Sequence, residues 1–189
     1  MSSKDIGLAV IGSGRIGSLR AILASGHPAV KYLGVSDINI ENAKKLAGTC
    51  NADTYTNDNH ALISDLKVNA VIVSTSEHEH LDAVMHALEL GKPVLVEKPI
   101  ALTVDDADKM IQKAKDTKTL FRVGYAQRFK RRYLSGKDQL IEGRIGNILS
   151  ISARACNTRA QGIEILKRSS TATPVVDVLT YWVDVSCWY

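Results

Sequence analysis

Three glycines near the N-terminus have the spacing of a phosphate-binding turn, in the run Gly12-Ser13-Gly14-Arg15-Ile16-Gly17. In such a turn the first glycine permits the tight bend, the second lets the backbone approach a pyrophosphate, and the third lets the next helix pack closely. The N-terminus of that helix offers unpaired N–H groups and the positive end of its dipole to the phosphates. We therefore predict a dinucleotide site at residues 12–17, with a glycine-rich turn that binds nothing as the alternative.

A carboxylate, Asp37, stands at the end of the second predicted strand, 20 residues after Gly17. At this place a carboxylate accepts hydrogen bonds from both hydroxyls of the adenosine ribose and repels a 2′-phosphate. The next residues, Ile38 and Asn39, carry no cation that would bind that phosphate. We predict NAD as the cofactor in preference to NADP, with an ordinary turn aspartate as the alternative.

The tripeptide Glu97-Lys98-Pro99 follows a later strand. Ligands of doubly wound sheets bind beyond the carboxyl ends of the strands, so this tripeptide is expected at the cofactor edge. A lysine at that edge can hydrogen-bond a substrate hydroxyl and assist the transfer of its proton. The alternative is a lysine that is simply solvated in a loop.

Two further clusters of polar residues each have two possible interpretations. The basic run Arg128–Arg132 could attract phosphates or nucleic acid, but no nucleic-acid motif accompanies it, and a solvated helix face that buries Phe129 and Tyr133 is favoured. The run Glu77-His78-Glu79-His80 could suggest a metal, but on a helix His78 and His80 point apart and no further ligand cluster is evident. We predict neither a nucleic-acid partner nor a metal site.

Short apolar strands and amphipathic helices alternate through the segments that must position these residues. The predicted strands cover residues 6–11, 30–36, 70–74, 93–97 and 120–125. Thr103 and Asp106 form a predicted capping box at the start of one helix. Met110 and Ile111 are on the face of this helix that is predicted to be buried. Continuous apolar strands separated by such helices predict a parallel sheet covered on both faces, a doubly wound α/β domain over residues 1–125.

Residues 126–189 follow a different pattern and are predicted to begin a second α/β domain. We expect a helix over about 127–141, a strand around 147–155, no clear periodicity over 156–172, and a helix from Pro174 with Thr173 as its N-cap. A strand after Pro174 is the alternative, because β-branched residues are frequent there. The helical pattern is unfinished where the chain ends at Trp188-Tyr189, so we expect this domain to be incomplete.

The composition limits the class of protein. With 45% apolar and 23% charged residues the chain is typical of globular proteins, and its apolar runs are far shorter than the ~20 residues of a membrane helix. No signal or transit pattern precedes the first strand. The cysteines, Cys50, Cys156 and Cys187, are odd in number and widely spaced, which favours neither a zinc site nor disulfides. We expect a cytoplasmic protein that makes no contact with membranes.

The ordered set GSGRIG, VSD, VSTSEHEH, VLVEKP, VGYAQRF and GRIGNI resembles the Gfo/Idh/MocA oxidoreductases over nearly the whole chain. The resemblance implies a Rossmann domain followed by an α/β domain whose open sheet usually forms dimers or tetramers. It also implies a sugar, inositol or similar polyol as the substrate of an NAD-dependent dehydrogenase or reductase.

The resemblance also assigns roles to particular residues. Lys98 matches the catalytic lysine of the family, and the Lys98–Pro99 bond is expected to be cis, which is rare even before proline. Arg128 matches a family arginine that follows the last strand of the first domain. This arginine is expected to contact the cofactor. Positions lining the nicotinamide side are matched by Ser74, Thr75, His80 and Glu97.

A second catalytic patch of the family is an aspartate, a histidine four residues later and an acid three beyond. Here Asp177 and Asp184 match, but Tyr181 replaces the histidine, and the glycines that normally precede the aspartate are absent. On a helix these residues share one face. We predict that Tyr181 gives or takes the proton of the substrate hydroxyl, helped by Lys98, which Asp177 orients. The alternatives are a buried tyrosine, an NAD-binding regulator without turnover, or a family member that uses NAD transiently to cleave a glycosidic bond.

Overall fold

The computed structural model describes residues 5–168 and 174–189. The chain forms two compact units, Met1–Val123 and Gly124–Tyr189, here called the first and second units. The first unit ends two residues before the expected domain boundary, and the assignment of residues 1–125 and 126–189 as domains stays a prediction.

A six-stranded sheet forms the centre of the first unit. Its strands are β1 (Ile6–Ile11), β2 (Val30–Ser36), β3 (Thr54–Thr56), β4 (Ala70–Val73), β5 (Val94–Val96) and β6 (Phe121–Val123). All neighbours are parallel, and the order is β3-β2-β1-β4-β5-β6. The chain therefore runs outward from β1 to one edge, then returns to β4 and runs to the other, which confirms the doubly wound class and places the switch point between β1 and β4.

Helices cover both faces of this sheet. In the first unit they are α1 (Arg15–Ser25), α2 (Ile40–Cys50), α3 (Asn59–Ser64), α4 (His80–Glu89) and α5 (Val104–Asp116). Successive residues of β1 point to opposite faces: Ala9 and Ile11 join one buried cluster, with α3, α4 and α5, and Leu8 and Val10 join the other, with α1 and α2. The strand is apolar throughout because both of its faces are buried.

The ends of the helices follow the predicted chemistry. Thr103 Oγ1 accepts a hydrogen bond from the backbone N–H of Asp106 at 3.2 Å and donates to its carboxylate at 2.8 Å. Gly91 follows α4 with φ of +66°, a conformation that favours glycine. These contacts set where the two helices begin and end.

Some expected elements differ in the structure. β3 and α3 are additional to the expected strands and helices, and Ile111 on α5 is exposed. Residues 147–155 form no strand, and Leu149 is 97% exposed there. A strand needs a partner for its backbone, and no strand is present in the described part of the second unit to pair with it.

The second unit is helical in the residues that the structure describes. Its helices are α6 (Arg131–Ile141), α7 (Arg159–Arg168) and α8 (Pro174–Trp188), preceded by a 3-10 turn at Ala126–Phe129. The helix interpretation after Pro174 is confirmed, while its predicted N-cap Thr173 lies outside the described residues. The expected burial of Phe129 is wrong: Lys130 is extended between turn and helix, and Phe129 is 82% exposed. No helix in residues 5–168 or 174–189 is long and apolar enough to cross a membrane.

Packing of α5 on the sheet gives a stability prediction. Met110 is 0% exposed in the core cluster, and its neighbour Ile111 is 39% exposed. Met110→Ala should lower the free energy of unfolding in urea by about 2–5 kcal/mol because it leaves a cavity. Ile111→Ala, the matched control, should cost less than about 1 kcal/mol. Equal losses for the two variants would contradict this packing.

Candidate functional site

The carboxyl ends of the central strands form one continuous edge. Backbone hydrogen bonds run from Gly12 N to Ser36 O at 2.9 Å, from Ser74 N to Ile11 O at 2.7 Å, and from Glu97 N to Val73 O at 2.9 Å. The first residue beyond each of these strands is thus tied to the end of the strand beside it. The glycine turn, Asp37, Ser74 and Glu97 consequently lie along the same edge of the sheet, where doubly wound proteins bind ligands.

Two of the three glycines of the turn are required by close approaches between backbones. Gly12 has φ of +94°, and a Cβ there would lie 2.7 Å from Ser74 O. A Cβ on Gly17 would lie 1.8 Å from Gly12 O. Gly14 differs, since a Cβ there would meet nothing within 4 Å. Open space above Gly14 is what a pyrophosphate passing over the backbone would need.

The N-terminus of α1 is prepared for an anion. No side chain caps it, its N-cap is Gly14, and its first turn contains no acidic residue. Arg15 is exposed and Ile16 half-buried there. The N–H groups of the first helical turn therefore have no competing carboxylate, which fits a phosphate ligand.

Asp37 is bound to the glycine turn itself, a contact that sequence reasoning missed. One carboxylate oxygen accepts the Ser13 N–H at 2.9 Å, and the other accepts the Asn39 N–H at 3.0 Å and the Asn42 amide at 3.3 Å. A carboxylate has about four acceptor positions, so an additional hydroxyl can still be bound. Asp37 is half-exposed at the end of β2, as adenosine ribose recognition requires.

Ser74 and Thr75 lie at the end of β4, beneath the turn. Ser74 Oγ is buried and has no hydrogen-bond partner among the described residues. The Ser74 side chain lies against the glycine turn, because a Cβ on Gly17 would lie 3.4 Å from the Ser74 Cβ. A buried hydroxyl without a partner is costly, and the predicted contact of Ser74 with a cofactor stays a prediction.

His80 connects two loops at this edge. Its imidazole is 1% exposed, with Nδ1 at 3.1 Å from Pro99 O and 3.3 Å from Ile100 O, and Nε2 at 3.3 Å from Thr75 O. Burial lowers the pKa of His80 below its ordinary value. The buried ring holds the loop after β4 against the loop after β5, and its direct contact with a cofactor stays a prediction.

Glu97 and Lys98 lie just beyond β5, and the expected cis bond between Lys98 and Pro99 is confirmed. The Glu97 carboxylate pairs with Arg20 of α1, at 2.6 Å between Nη2 and Oε1. Sequence reasoning missed Arg20, although a cation on a helix that packs against the sheet is a signal to look for a buried carboxylate. Lys98 is half-buried.

The remaining predicted residues belong to the second unit. Asp177 and Tyr181 are half-buried on α8. Arg128 donates from Nε to Asp184 Oδ2 at 2.8 Å and from Nη2 to the other oxygen, so the 3-10 turn is joined to α8 by a two-point ion pair. Arg128 is therefore engaged within its own unit, and its predicted cofactor contact stays a prediction. No group of three metal-ligating side chains is arranged around a common centre in the described ranges.

Comparisons with known proteins concern the family and the fold of the chain. The family model described as an oxidoreductase family with an NAD-binding Rossmann fold, Gfo/Idh/MocA, matches residues 6–125. A similar curated relative is scyllo-inositol 2-dehydrogenase (NAD(+)) of Bacillus subtilis, 29% identical over 162 residues, which are 85% of this chain and 47% of the relative. The chain thus spans about half the length of the curated relatives it matches.

Solved structures show the same fold. Scyllo-inositol dehydrogenase from Lactobacillus casei, with bound NAD(H) and scyllo-inositol, superposes with a TM-score of 0.85 at 23% identity over 98% of this chain and 56% of that one. A protein from Desulfitobacterium hafniense described as an NADPH-dependent oxidoreductase superposes with a TM-score of 0.87 at 22% identity, over 97% of this chain and 54% of that one. At this identity the likeness concerns the fold alone.

The open space at Gly14 allows the effects of a substitution on folding and on ligand binding to be distinguished. Gly14→Ala should change the free energy of unfolding by less than about 1 kcal/mol, because the added Cβ meets nothing within 4 Å. The same methyl group would obstruct the approach of a pyrophosphate and should weaken NADH binding, measured by fluorescence titration, at least about tenfold.

Gly48→Ala is the control, since a Cβ at this position of α2 also meets nothing within 4 Å. It should leave the NADH dissociation constant unchanged. Unaltered NADH binding by Gly14→Ala would show that the pyrophosphate does not pass over this turn.

Proposed function

The chain belongs to the Gfo/Idh/MocA oxidoreductase family, with its NAD-binding Rossmann fold, and on that premise we propose that it is an NAD-dependent dehydrogenase or reductase of a polyol. The observation that carries the proposal is that three features lie along one edge of the sheet. They are the glycine turn at the N-terminus of α1, which no side chain caps, and the residues Asp37 and Lys98. This edge offers a pyrophosphate site, a ribose site and a proton-handling group to one extended ligand.

The preference for NAD over NADP rests on Asp37. Its carboxylate is held at the end of β2 by Ser13 and Asn39, so it cannot readily turn away from a 2′-phosphate. The following side chain, Ile38, is apolar and exposed, and offers no compensating cation. The adenosine end of the site therefore has a negative charge where NADP would place another.

The substrate class is proposed from the relatives. The Bacillus subtilis relative and one from Rhizobium meliloti are named as inositol dehydrogenases, and the Lactobacillus casei structure contains scyllo-inositol. We assign to this chain an inositol, sugar or related polyol that carries a secondary hydroxyl.

Three side chains are assigned to the substrate. A bound nicotinamide would supply the acceptor or the donor of the hydride at a carbinol carbon, and the chain's own residues would handle the proton of its hydroxyl. On the family resemblance, Lys98 is assigned to hydrogen-bond the reacting oxygen, and Tyr181 and Asp177 of α8 are assigned to the exchange of its proton. Tyr181 stands where the family has a histidine, which also favours a second candidate, an NAD-binding regulator without turnover.

Two broader assignments accompany the reaction. Cys50, Cys156 and Cys187 are free thiols, in keeping with a reducing cytoplasmic location. Homo-oligomers are proposed on the family resemblance, since the second domain of the family usually forms dimers or tetramers.

Asp37 provides a test of cofactor choice. Asp37→Asn keeps an acceptor for the Ser13 N–H but removes the charge, so NADP binding should strengthen and the NAD/NADP affinity ratio should fall about tenfold. Calorimetric titration of both dinucleotides measures the ratio. Asp53→Asn is the control, because Asp53 likewise accepts a backbone N–H, that of Leu33 at 2.8 Å. Equal affinity of the unaltered chain for NAD and NADP would refute the assignment.

Lys98 and Tyr181 provide a test of the reaction. With a panel of inositols and sugars, Lys98→Met and Tyr181→Phe should each lower turnover by roughly 10²–10⁴-fold, the usual contribution of a proton-transfer group. The NAD dissociation constant should change less than about threefold, since other residues hold the dinucleotide.

Lys113→Met on α5, whose ammonium pairs with Glu89 at 3.0 Å, is the control and should retain full turnover. NAD binding by the unaltered chain without oxidation or reduction of any polyol would favour the regulator. Unchanged turnover of Lys98→Met would remove the lysine from the mechanism.

A further inference from the structure

An ion pair at the edge of the first unit joins Arg20 to Glu97. Arg20 Nε and Nη2 lie 2.7 and 2.6 Å from Glu97 Oε1. The two side chains are only 26% and 12% exposed. At this depth the attraction is screened less than at the surface, and each charge depends on the other for compensation.

The Arg20–Glu97 pair connects the helix that follows the glycine turn to the loop that contains Lys98. Arg20 is on α1, the helix whose N-terminus is the glycine turn. Glu97 directly precedes Lys98, and its backbone N–H is already bonded to Val73 O at 2.9 Å. The guanidinium thus sets where the carboxylate lies and leaves the pair without net charge.

Topology indicates which half of a dinucleotide this pair would meet. Asp37 ends β2 and marks the adenosine side of the switch point between β1 and β4. The nicotinamide half therefore extends over the strands on the other side, β4 and β5. Glu97 is the residue that follows β5.

The nicotinamide ring has a positive charge when oxidised and none when reduced. An uncompensated carboxylate at the end of β5 would favour the oxidised ring, and an uncompensated guanidinium would disfavour it. We propose that Arg20 is a positioning residue that neutralises Glu97 and thereby sets the relative affinity of the site for oxidised and reduced cofactor. This inference rests on the proposed binding of NAD.

The test is a double-variant cycle on the 189-residue chain, with the dissociation constants of NAD⁺ and NADH measured by calorimetry. Arg20→Gln should shift the affinity ratio toward NAD⁺, and Glu97→Gln should shift it toward NADH, each by about threefold to thirtyfold. The combined Arg20→Gln, Glu97→Gln chain has a neutral amide pair and should return close to the original ratio.

Two more variants separate charge from general structural damage. Arg20→Lys keeps the charge and should keep most of the original ratio. Lys113→Gln breaks the ion pair with Glu89, between α5 and α4, and should leave the ratio unchanged. A purely structural role would weaken both cofactors together in the two single variants, with no opposite shifts.

The outcomes are distinguishable. Shifts of the same sign in Arg20→Gln and Glu97→Gln, or no shift in either, would overturn the proposal while NAD binding stands. If the unaltered chain binds neither NAD⁺ nor NADH, the proposed function itself fails and the inference fails with it. Should one single variant be too unstable to purify, the other single variant still decides: an unchanged ratio in that variant would contradict the proposal.

Discussion

The close approach of three backbone segments at the switch point is the constraint on which the rest of the site depends. The glycine turn, the start of α1 and the end of β4 meet so tightly that a methyl group on Gly12 or Gly17 would overlap backbone atoms. Such contact lets α1 start directly above the centre of the sheet, with its N–H groups at the ligand edge. Asp37, Ser74 and Glu97 then lie along that edge because each follows a strand whose end is bonded to its neighbour.

Charged and polar side chains at this edge hold the loops together. Asp37 binds the N–H of Ser13, Glu97 binds Arg20, and His80 bridges the loops after β4 and β5. Such contacts keep the groups near their working positions before a ligand arrives, which lowers the cost of binding. Removal of one of these side chains therefore perturbs loop position and charge together, and isosteric amide variants are needed to separate the two.

Sequence patterns predict the parts of this fold where one physical cause dominates. Strands such as β1 are buried on both faces and must be apolar throughout, and Gly12 and Gly17 are demanded by close contact with backbone atoms. β3 has three residues and depends on its pairing with β2, so no local sequence pattern predicts it. The Ile- and Ser-rich composition around residues 147–155 favours a strand, yet pairing depends on distant residues. Arg20 and the Ser13 contact of Asp37 were missed for the same reason: they join residues far apart in sequence.

The second unit shows how a helix can be fixed in rotation by contacts on two of its sides. Asp184 on α8 is held by Arg128 of the 3-10 turn, and Trp182 packs edge-on against Tyr133 of α6 at 6.0 Å between ring centroids. A helix held in two directions cannot turn about its axis without breaking an ion pair or an aromatic contact. Asp177 and Tyr181 share the face of Asp184 by helical spacing, so the Arg128–Asp184 pair determines the direction in which that face points. The proposed proton transfer by Tyr181 would need its phenol oxygen to be held in place, and the contacts of Asp184 and Trp182 restrain α8 within the unit.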